Sequence, residues 1–442
     1  MASVRSRRTT TITCGFSSRC TTRCTRTASG GWSRAASSST RREGSPLAEP
    51  LPILIANRAI RTFGYGFVSV LLAIYLKLLG GDDAIVVASL GISLATGAVL
   101  NILVGYFGDR FGRRRAMALF GLLMTASGVL LAAAPTFPYA LAALALGATS
   151  PTGTEVSPFL SVEQSIVADV ARVGRRTRAF AVYNLVGSLG AAAGALASGI
   201  PNLVVGGVPT SAAPIRPMFL VYAVLGLVAA GLSVLLPASV ELSGRTERVH
   251  LSPQSRSRVA KIAALFGVDS FAGGFVIQSF ISLWFYTRYP ESQPVLPLIF
   301  FAAGVLSAFS FLVAARLGER FGLLETMVFT HIPSSLLLIA VPLVPGFLPA
   351  LGAYLARMAI SQMDVPTRQA YIAGIVSKEE RTAANAVTNT ARNVAQSAGP
   401  FTAGAVIAAL GLSVPFLIGG GLKIVYDVLI LTAFRKVKPE TL

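Results

Sequence analysis

Charge is what this sequence has least of. Only 13% of its 442 residues are Asp, Glu, Lys or Arg, about half the share of a soluble domain. Meanwhile 53% are hydrophobic and mean hydropathy is +0.66. A chain so poor in charge cannot cover a water-facing surface. Cysteine is also scarce. Cys14, Cys20 and Cys24 all lie near the N-terminus, so no disulfide framework or thiolate metal site is expected beyond it. The two histidines, His250 and His331, stand apart, and there is no Ser/His/Asp arrangement, Walker loop or dinucleotide fingerprint. These absences argue against an enzyme and against an ATP-driven pump on this chain alone. No metal site and no cofactor is expected.

What the chain does have is long apolar runs. From Leu51 to Phe434 they recur near the ~20 residues that cross a bilayer as helix, the conformation that satisfies its own backbone in lipid. Helices are expected near 52–79, 84–107, 116–134, 137–168, 179–200, 217–236, 259–286, 295–316, 324–343, 347–374, 384–410 and 414–434. Pro151, Gly153 and Pro158 should interrupt the fourth. The predicted organisation is a disordered basic tail or targeting segment over 1–50, a six-helix bundle over 51–236, a polar loop over 237–258, a second bundle over 259–436 and a short tail over 437–442. The first 45 residues hold nine arginines, one acid (Glu43) and 19 Ser or Thr. Such a leader suits a transit peptide, a solvated tail or an over-extended gene start. It also inflates the net charge of +19, which is no sign of nucleic-acid binding.

Arginine placement sets an orientation. Arg110, Arg113, Arg114 and Arg115 follow helix 2, and Arg172, Arg175, Arg176 and Arg178 follow helix 4. The central loop adds Arg245, Arg248, Arg256 and Arg258. The opposite loops begin with Gly80-Gly81-Asp82-Asp83 and carry little beyond Arg216 and Arg288. The positive-inside rule makes both termini cytoplasmic.

The chain also repeats itself. Gly108-Asp109-Arg110-Phe111-Gly112 recurs as Gly318-Glu319-Arg320-Phe321-Gly322. At an offset of 205, Gln164, Asn184, Gly194 and Gly199 match Gln369, Asn389, Gly399 and Gly404. At an offset of 208, Phe63 and Gly66 match Phe271 and Gly274. Parallel six-helix repeats imply a pseudo-twofold along the membrane normal, with a site between the halves near mid-membrane.

The segment from Gly105 through Asp109, Arg110 and Gly112 to Arg113-Arg114-Arg115 resembles the loop motif of the major facilitator superfamily. The resemblance covers roughly residues 50–438. It implies an all-α membrane fold of twelve transmembrane helices in two pseudo-twofold six-helix bundles, with helices 1, 4, 7 and 10 lining a cavity. It further implies alternating access by rocking of one bundle against the other. The expected partners are a small-molecule substrate, a proton as coupling ion and the lipid bilayer, with the protein a monomer. The expected activity is proton-coupled efflux. The alternatives are an organic-anion symporter or uniporter, and a non-transporting receptor or scaffold. The expected location is the plasma membrane, or an organelle membrane if residues 1–45 are a transit peptide. Helix 5 has Ala195 where drug antiporters of the superfamily place a proline, and helix 4 lacks their arginine, which weakens a drug-exporter reading.

Three residue sets follow. Gly105, Asp109, Arg110, Gly112 and Arg113, with Glu319 and Arg320, form the conformational motif. Asp109 is expected to pair with the arginines or to face a helix N-terminus. Arg61, Glu163, Asp269 and Arg368 form a proton-coupling or gate set. Arg61 lies about 13 Å into its helix at ~1.5 Å per residue, with Asp269 at similar depth, and each residue has a symmetry mate of opposite charge. Pairing across the cavity is expected, with Asp269 the first choice for the proton. Buried charges in a membrane helix are costly enough to be functional by default. Arg58, Glu155, Gln278, Arg357, Asp364, Asn389 and Asn393 are the cavity candidates, and Lys423 with Asp427 reads as a local i,i+4 pair.

Overall fold

The computed structural model describes residues 25–26, 32–33, 50–153, 158–170, 176–241, 252–376 and 380–435; side chains at 105–110, 319 and a few other helical positions are outside that description. In the N-terminal segment a two-residue antiparallel ladder pairs Thr25 with Ser33 and Arg26 with Trp32. The expectation of disorder across the rest of residues 1–45 falls outside the described residues.

The remainder is helical. The first half comprises α1 Pro50–Leu78, α2 Asp83–Phe111, α3 Arg113–Ala133, α4 Phe137–Ala145, α5 Pro158–Val170, α6 Arg176–Ala197, α7 Ile200–Val205 and α8 Arg216–Val234. The second comprises α9 Pro253–Phe275, α10 Gln278–Arg288, α11 Leu296–Phe321, α12 Leu323–Ala340, α13 Phe347–Ile360, α14 Asp364–Gly374, α15 Arg381–Leu410 and α16 Val414–Phe434. Among the described residues, nine stretches are long and apolar enough to cross a bilayer. One of the nine, Ser255–Arg288, already joins α9 and α10. The expected twelve requires the interrupted pairs α4/α5 and α13/α14, and α15, each to cross once as well.

The α4/α5 interruption coincides with Pro151 and Gly153, and Gly153 takes a φ of +71° that a side chain would strain. The other two were not expected. Between α9 and α10 the chain turns extended at Ile277 (φ −66°, ψ 156°), although no proline is there. The freed Ser279 N–H donates to the carbonyl of Pro151, 2.9 Å away in the opposite half. The two interruptions thus satisfy each other, which is how broken helices survive at membrane depth.

The internal repeat appears as matching contacts. A Cβ on Gly194 would overlap the carbonyl oxygen of Phe63 beside Gly66. A Cβ on Gly399 would sit 2.8 Å from the carbonyl oxygen of Phe271 beside Gly274. Both are the same helix crossing, α1 with α6 and α9 with α15, where only glycine lets the backbones meet. We expect Gly194→Val to wedge α1 from α6 and to cost about 1–3 kcal/mol or more through overpacking, read as a lower midpoint of thermal unfolding in detergent. An unchanged midpoint would show that the crossing gives way.

The apolar core is continuous at one end and divided at the other. Near the Gly80 loop a single cluster joins Phe67, Tyr75 and Phe219 of the first half to Trp284, Phe285 and Phe416 of the second. Towards the arginine-rich loops there are two clusters. One holds Leu54, Phe120, Phe159 and Tyr183, and the other holds Ile262, Phe266, Tyr371 and Ile430. Polar bonds reinforce the joined end: Ser279 Oγ donates to the Ser69 carbonyl and Ser282 Oγ to that of Val70, both at 2.8 Å. Lys77 Nζ lies 2.7 Å from Asp83 and donates to Thr287 Oγ1 of the other half at 3.0 Å. The halves therefore meet firmly near the Gly80 loop and splay towards the other face.

Candidate functional site

The splay encloses a cavity of about 480 Å³ between the halves. Its first-half wall carries Arg58, Gln164, Asn184 and Ser188, with small Ala191, Ala192 and Ala195 leaving room. Its second-half wall carries Gln278, Arg357, Asp364, Asn389 and Asn393, together with Asp269 and Arg368. Of the cavity candidates, Glu155 lies outside the described residues. The interrupted helices supply the wall: Gly153, Ile277, Ser361 and Gln362 all line it at or beside the breaks.

The charge pairing differs from the expectation. Arg61 does not face Asp269, and Glu163 does not face Arg368. Arg61 instead donates to both carboxylate oxygens of Glu163, at 2.7 and 2.8 Å, within its own half. Both side chains are fully buried. Tyr183 Oη donates to the same carboxylate at 2.6 Å, the guanidinium stacks 4.0 Å over Phe159, and Arg61 also donates to Asn57. Asn57 in turn donates to the Ala229 carbonyl and to Ser233. The pair closes locally because α1, α5 and α6 pack together at a level where the two halves have parted. This network is sealed from the cavity, since neither Arg61 nor Glu163 lines it.

The symmetry-related charges of the second half behave otherwise. Asp269 accepts from Lys423 Nζ at 2.6 Å, and Arg368 Nη1 and His331 Nε2 each stand 3.6 Å from it. Arg368 donates to Asp364 at 2.6 Å. His331 Nδ1 meets the two oxygens of Asp427 at 2.9 and 3.0 Å. Lys423 and Asp427 are therefore not partners of each other, as their i,i+4 spacing suggested. They reach from α16 to α9 and α12 respectively. Arg392 donates through Nε to Ser270 at 3.0 Å. Asp269, His331, Asp364, Arg368, Arg392 and Lys423 all line the cavity. Sequence reasoning missed His331, Lys423 and Arg392 as cavity groups. A charged residue inside an apolar run was the available signal for the last two, whereas a lone histidine carried none.

At the loop motif, Gly105 lies on α2, and the side chains of Asp109, Arg110 and Glu319 lie outside the described residues. Gly112 and Gly322 take matching φ values of +92° and +99°, so the repeat extends to the turn itself. Arg320 is exposed, stacked 5.3 Å over Phe321. The α3 N-terminus is faced by Glu241, whose carboxylate accepts from the Arg113 and Arg114 backbone N–H groups at 2.7 and 3.1 Å. A carboxylate there satisfies two free donors and the positive end of the helix dipole. Glu380 does the same for α9, accepting from the Ser255 hydroxyl at 2.6 Å and from the Ser252 N–H. Both acids come from distant sequence, which left them unseen.

A profile of the family described as Major Facilitator Superfamily matches residues 54–363 and 265–442. The chain belongs to the Major Facilitator Superfamily. This major facilitator protein is 24% identical over 419 residues to the uncharacterized membrane protein YJR124C of Saccharomyces cerevisiae, covering 87% of this chain and 94% of that one. Its fold is similar to that of the human organic anion transporter MFSD10 (TETRAN), at 18% identity and a TM-score of 0.60, over 87% of this chain and all of that one. The nucleoside transporter NupG is similar at 13% identity and a TM-score of 0.68, over 88% and 100%. Identities this low show the fold alone. Membership makes the protein a multi-pass membrane transporter with a small-molecule substrate.

Proposed function

We propose that this major facilitator protein carries a small organic anion by alternating access, coupled to protons. One observation carries the reading. Among the described residues, the cavity wall holds five Lys or Arg side chains, Arg58, Arg357, Arg368, Arg392 and Lys423, against two carboxylates, Asp269 and Asp364. That is an excess of three positive charges in a site walled by apolar helices. Among the described residues, neither Arg357 nor Arg392 has a carboxylate within 4 Å. Guanidinium groups left with donors to spare suit a carboxylate, sulfonate or phosphate group. The same charge disfavours a cationic solute, and it favours the anion symporter over the efflux of an undefined solute first expected. MFSD10, whose fold is similar, is an organic anion transporter, in agreement with this reading.

The state follows from the core. The halves are joined at the Gly80 end and parted at the arginine-rich end, and the positive-inside rule puts the latter in the cytoplasm. In this reading the cavity faces inward, and Lys77, Asp83 and Thr287 form the outer closure that must part for the outward state. The Asp109 motif, Glu241 and Glu380 lie at the face that closes in exchange.

The test is uptake into proteoliposomes of p-toluenesulfonate, whose charge is constant with pH, against its neutral sulfonamide. The anion should be carried and the amide should not. Arg357→Gln and Arg392→Gln should each weaken apparent affinity by roughly tenfold or more, the worth of one charge-assisted hydrogen bond. Equal uptake of the amide, or full affinity in both variants, would remove the anion reading.

A further inference from the structure

Among the described residues, His331 is the one imidazole on the cavity wall, and anion binding as proposed does not require it. Its Nδ1 lies 2.9 Å from the nearer oxygen of Asp427, so that nitrogen carries the hydrogen and donates. Nε2 is then a lone pair. It stands 3.4 Å from Lys423 Nζ, from which it accepts, and 3.6 Å from Asp269 Oδ1. The imidazole is 6% exposed and lines the cavity, so water reaches the cluster.

We infer that His331 Nε2 is the proton-binding site of this carrier, and that protonation there hands the Lys423 ammonium to the cavity, so that proton and organic anion bind cooperatively and travel together. The inference rests on the anion-transport reading and adds to it where the proton sits and which way it is coupled.

The step is simple to balance. A proton from cavity water forms an N–H bond at Nε2, and nothing else is made or broken. Nε2 changes from an acceptor facing an ammonium into a donor facing it. Two cations 3.4 Å apart repel strongly where water is sparse. The new N–H finds its acceptor in Asp269 Oδ1, already within 3.6 Å. Lys423, at 11% exposure, is displaced from that oxygen towards the cavity it already lines. The cavity gains one positive charge and one mobile donor.

The other groups around α12 do not undo this. From α16, Tyr426 stacks edge-on at 5.9 Å and Asp427 stays on Nδ1. From α14, Arg368 is held by Asp364. From α13 and α15, Arg357 and Arg392 add positive charge to the same wall. The charged groups described on α11, Arg316 and Arg320, are exposed. An anion in the cavity stabilises the protonated state, and by linkage the proton strengthens the anion's binding equally.

The chain has two histidines, so the test is direct. Full-length protein with ¹⁵N-labelled histidine is placed in nanodiscs, and His250→Gln leaves His331 as the only signal. At high pH the Nδ1–H tautomer is expected, with the proton arriving at Nε2 as the pH is lowered. Saturating p-toluenesulfonate should raise proton affinity roughly fivefold or more, the lower end of ordinary allosteric coupling. Lys423→Gln should keep the titration and lose the anion-induced shift. The inference is overturned by an Nε2–H tautomer at high pH, by an imidazole that stays neutral to pH 5, by an unshifted midpoint, or by a shift that persists in Lys423→Gln. Absence of anion flux in the wild type with the linked titration intact would instead overturn the transport reading alone.

Discussion

Glu163→Ala is expected to destabilise the first half by on the order of 3–5 kcal/mol, the usual consequence of stranding one member of a buried ion pair. Arg61 would keep its charge and lose both hydrogen bonds to the Glu163 carboxylate, at a position with no exposed surface. Neither Asn57 nor the Phe159 face, both in contact with it, carries a charge to replace the carboxylate. The variant should fail to survive detergent extraction, read by size-exclusion profiles after heating. Arg61→Met with Glu163→Met should recover much of the loss, because two apolar chains of similar length can fill the same space. Should Glu163→Gln instead prove as stable as the wild type while losing pH-gradient-driven flux, Glu163 would return to the coupling candidates.

Asp269→Asn should leave a folded carrier with altered kinetics. The carboxylate holds Lys423 at 2.6 Å and faces Arg368 and His331. Neutralising it frees Lys423 and adds a positive charge to the cavity. The anion should then bind more tightly and leave more slowly, so apparent KM and maximal flux fall together. A cycle with Lys423→Gln should show a coupling of roughly 0.5–3 kcal/mol. The contrasting outcome is loss of gradient-driven transport with counterflow exchange intact. That pattern would make Asp269 itself the proton carrier and displace His331. The charge swap Arg61→Asp with Asp269→Arg should rescue nothing, since the two residues pair in separate halves.

The legible part of this protein is periodic or repeated. Helix positions near 52–79, 116–134 and 414–434 agree with α1, α3 and α16 to within a few residues, because a spanning segment is set by its own ~20 apolar residues and needs no partner. The offsets of 205 and 208 matched Gly194 with Gly399 and Gly66 with Gly274, and these are the residues that make the two equivalent helix crossings. The placement of charges was legible as well, since Arg61, Glu163, Asp269 and Arg368 stand out in apolar surroundings. Their partners were not. Symmetry supplied opposite charges at matching positions, but a symmetry mate need not be a neighbour.

By itself, then, the sequence determined membrane class, helix positions, the twofold repeat, the family resemblance and the short list of buried charges, all consequences of local composition and spacing. Only the tertiary structure decided which of those charges meet, because contact depends on helix rotation and on the angle between the halves. It sealed Arg61 with Glu163 and opened Asp269 to the cavity. It broke α9 from α10 where the Pro151 carbonyl could receive the Ser279 N–H. It also brought His331, unremarkable in the sequence, between Asp427 and Lys423, where a single proton can redistribute the charge of the cavity wall.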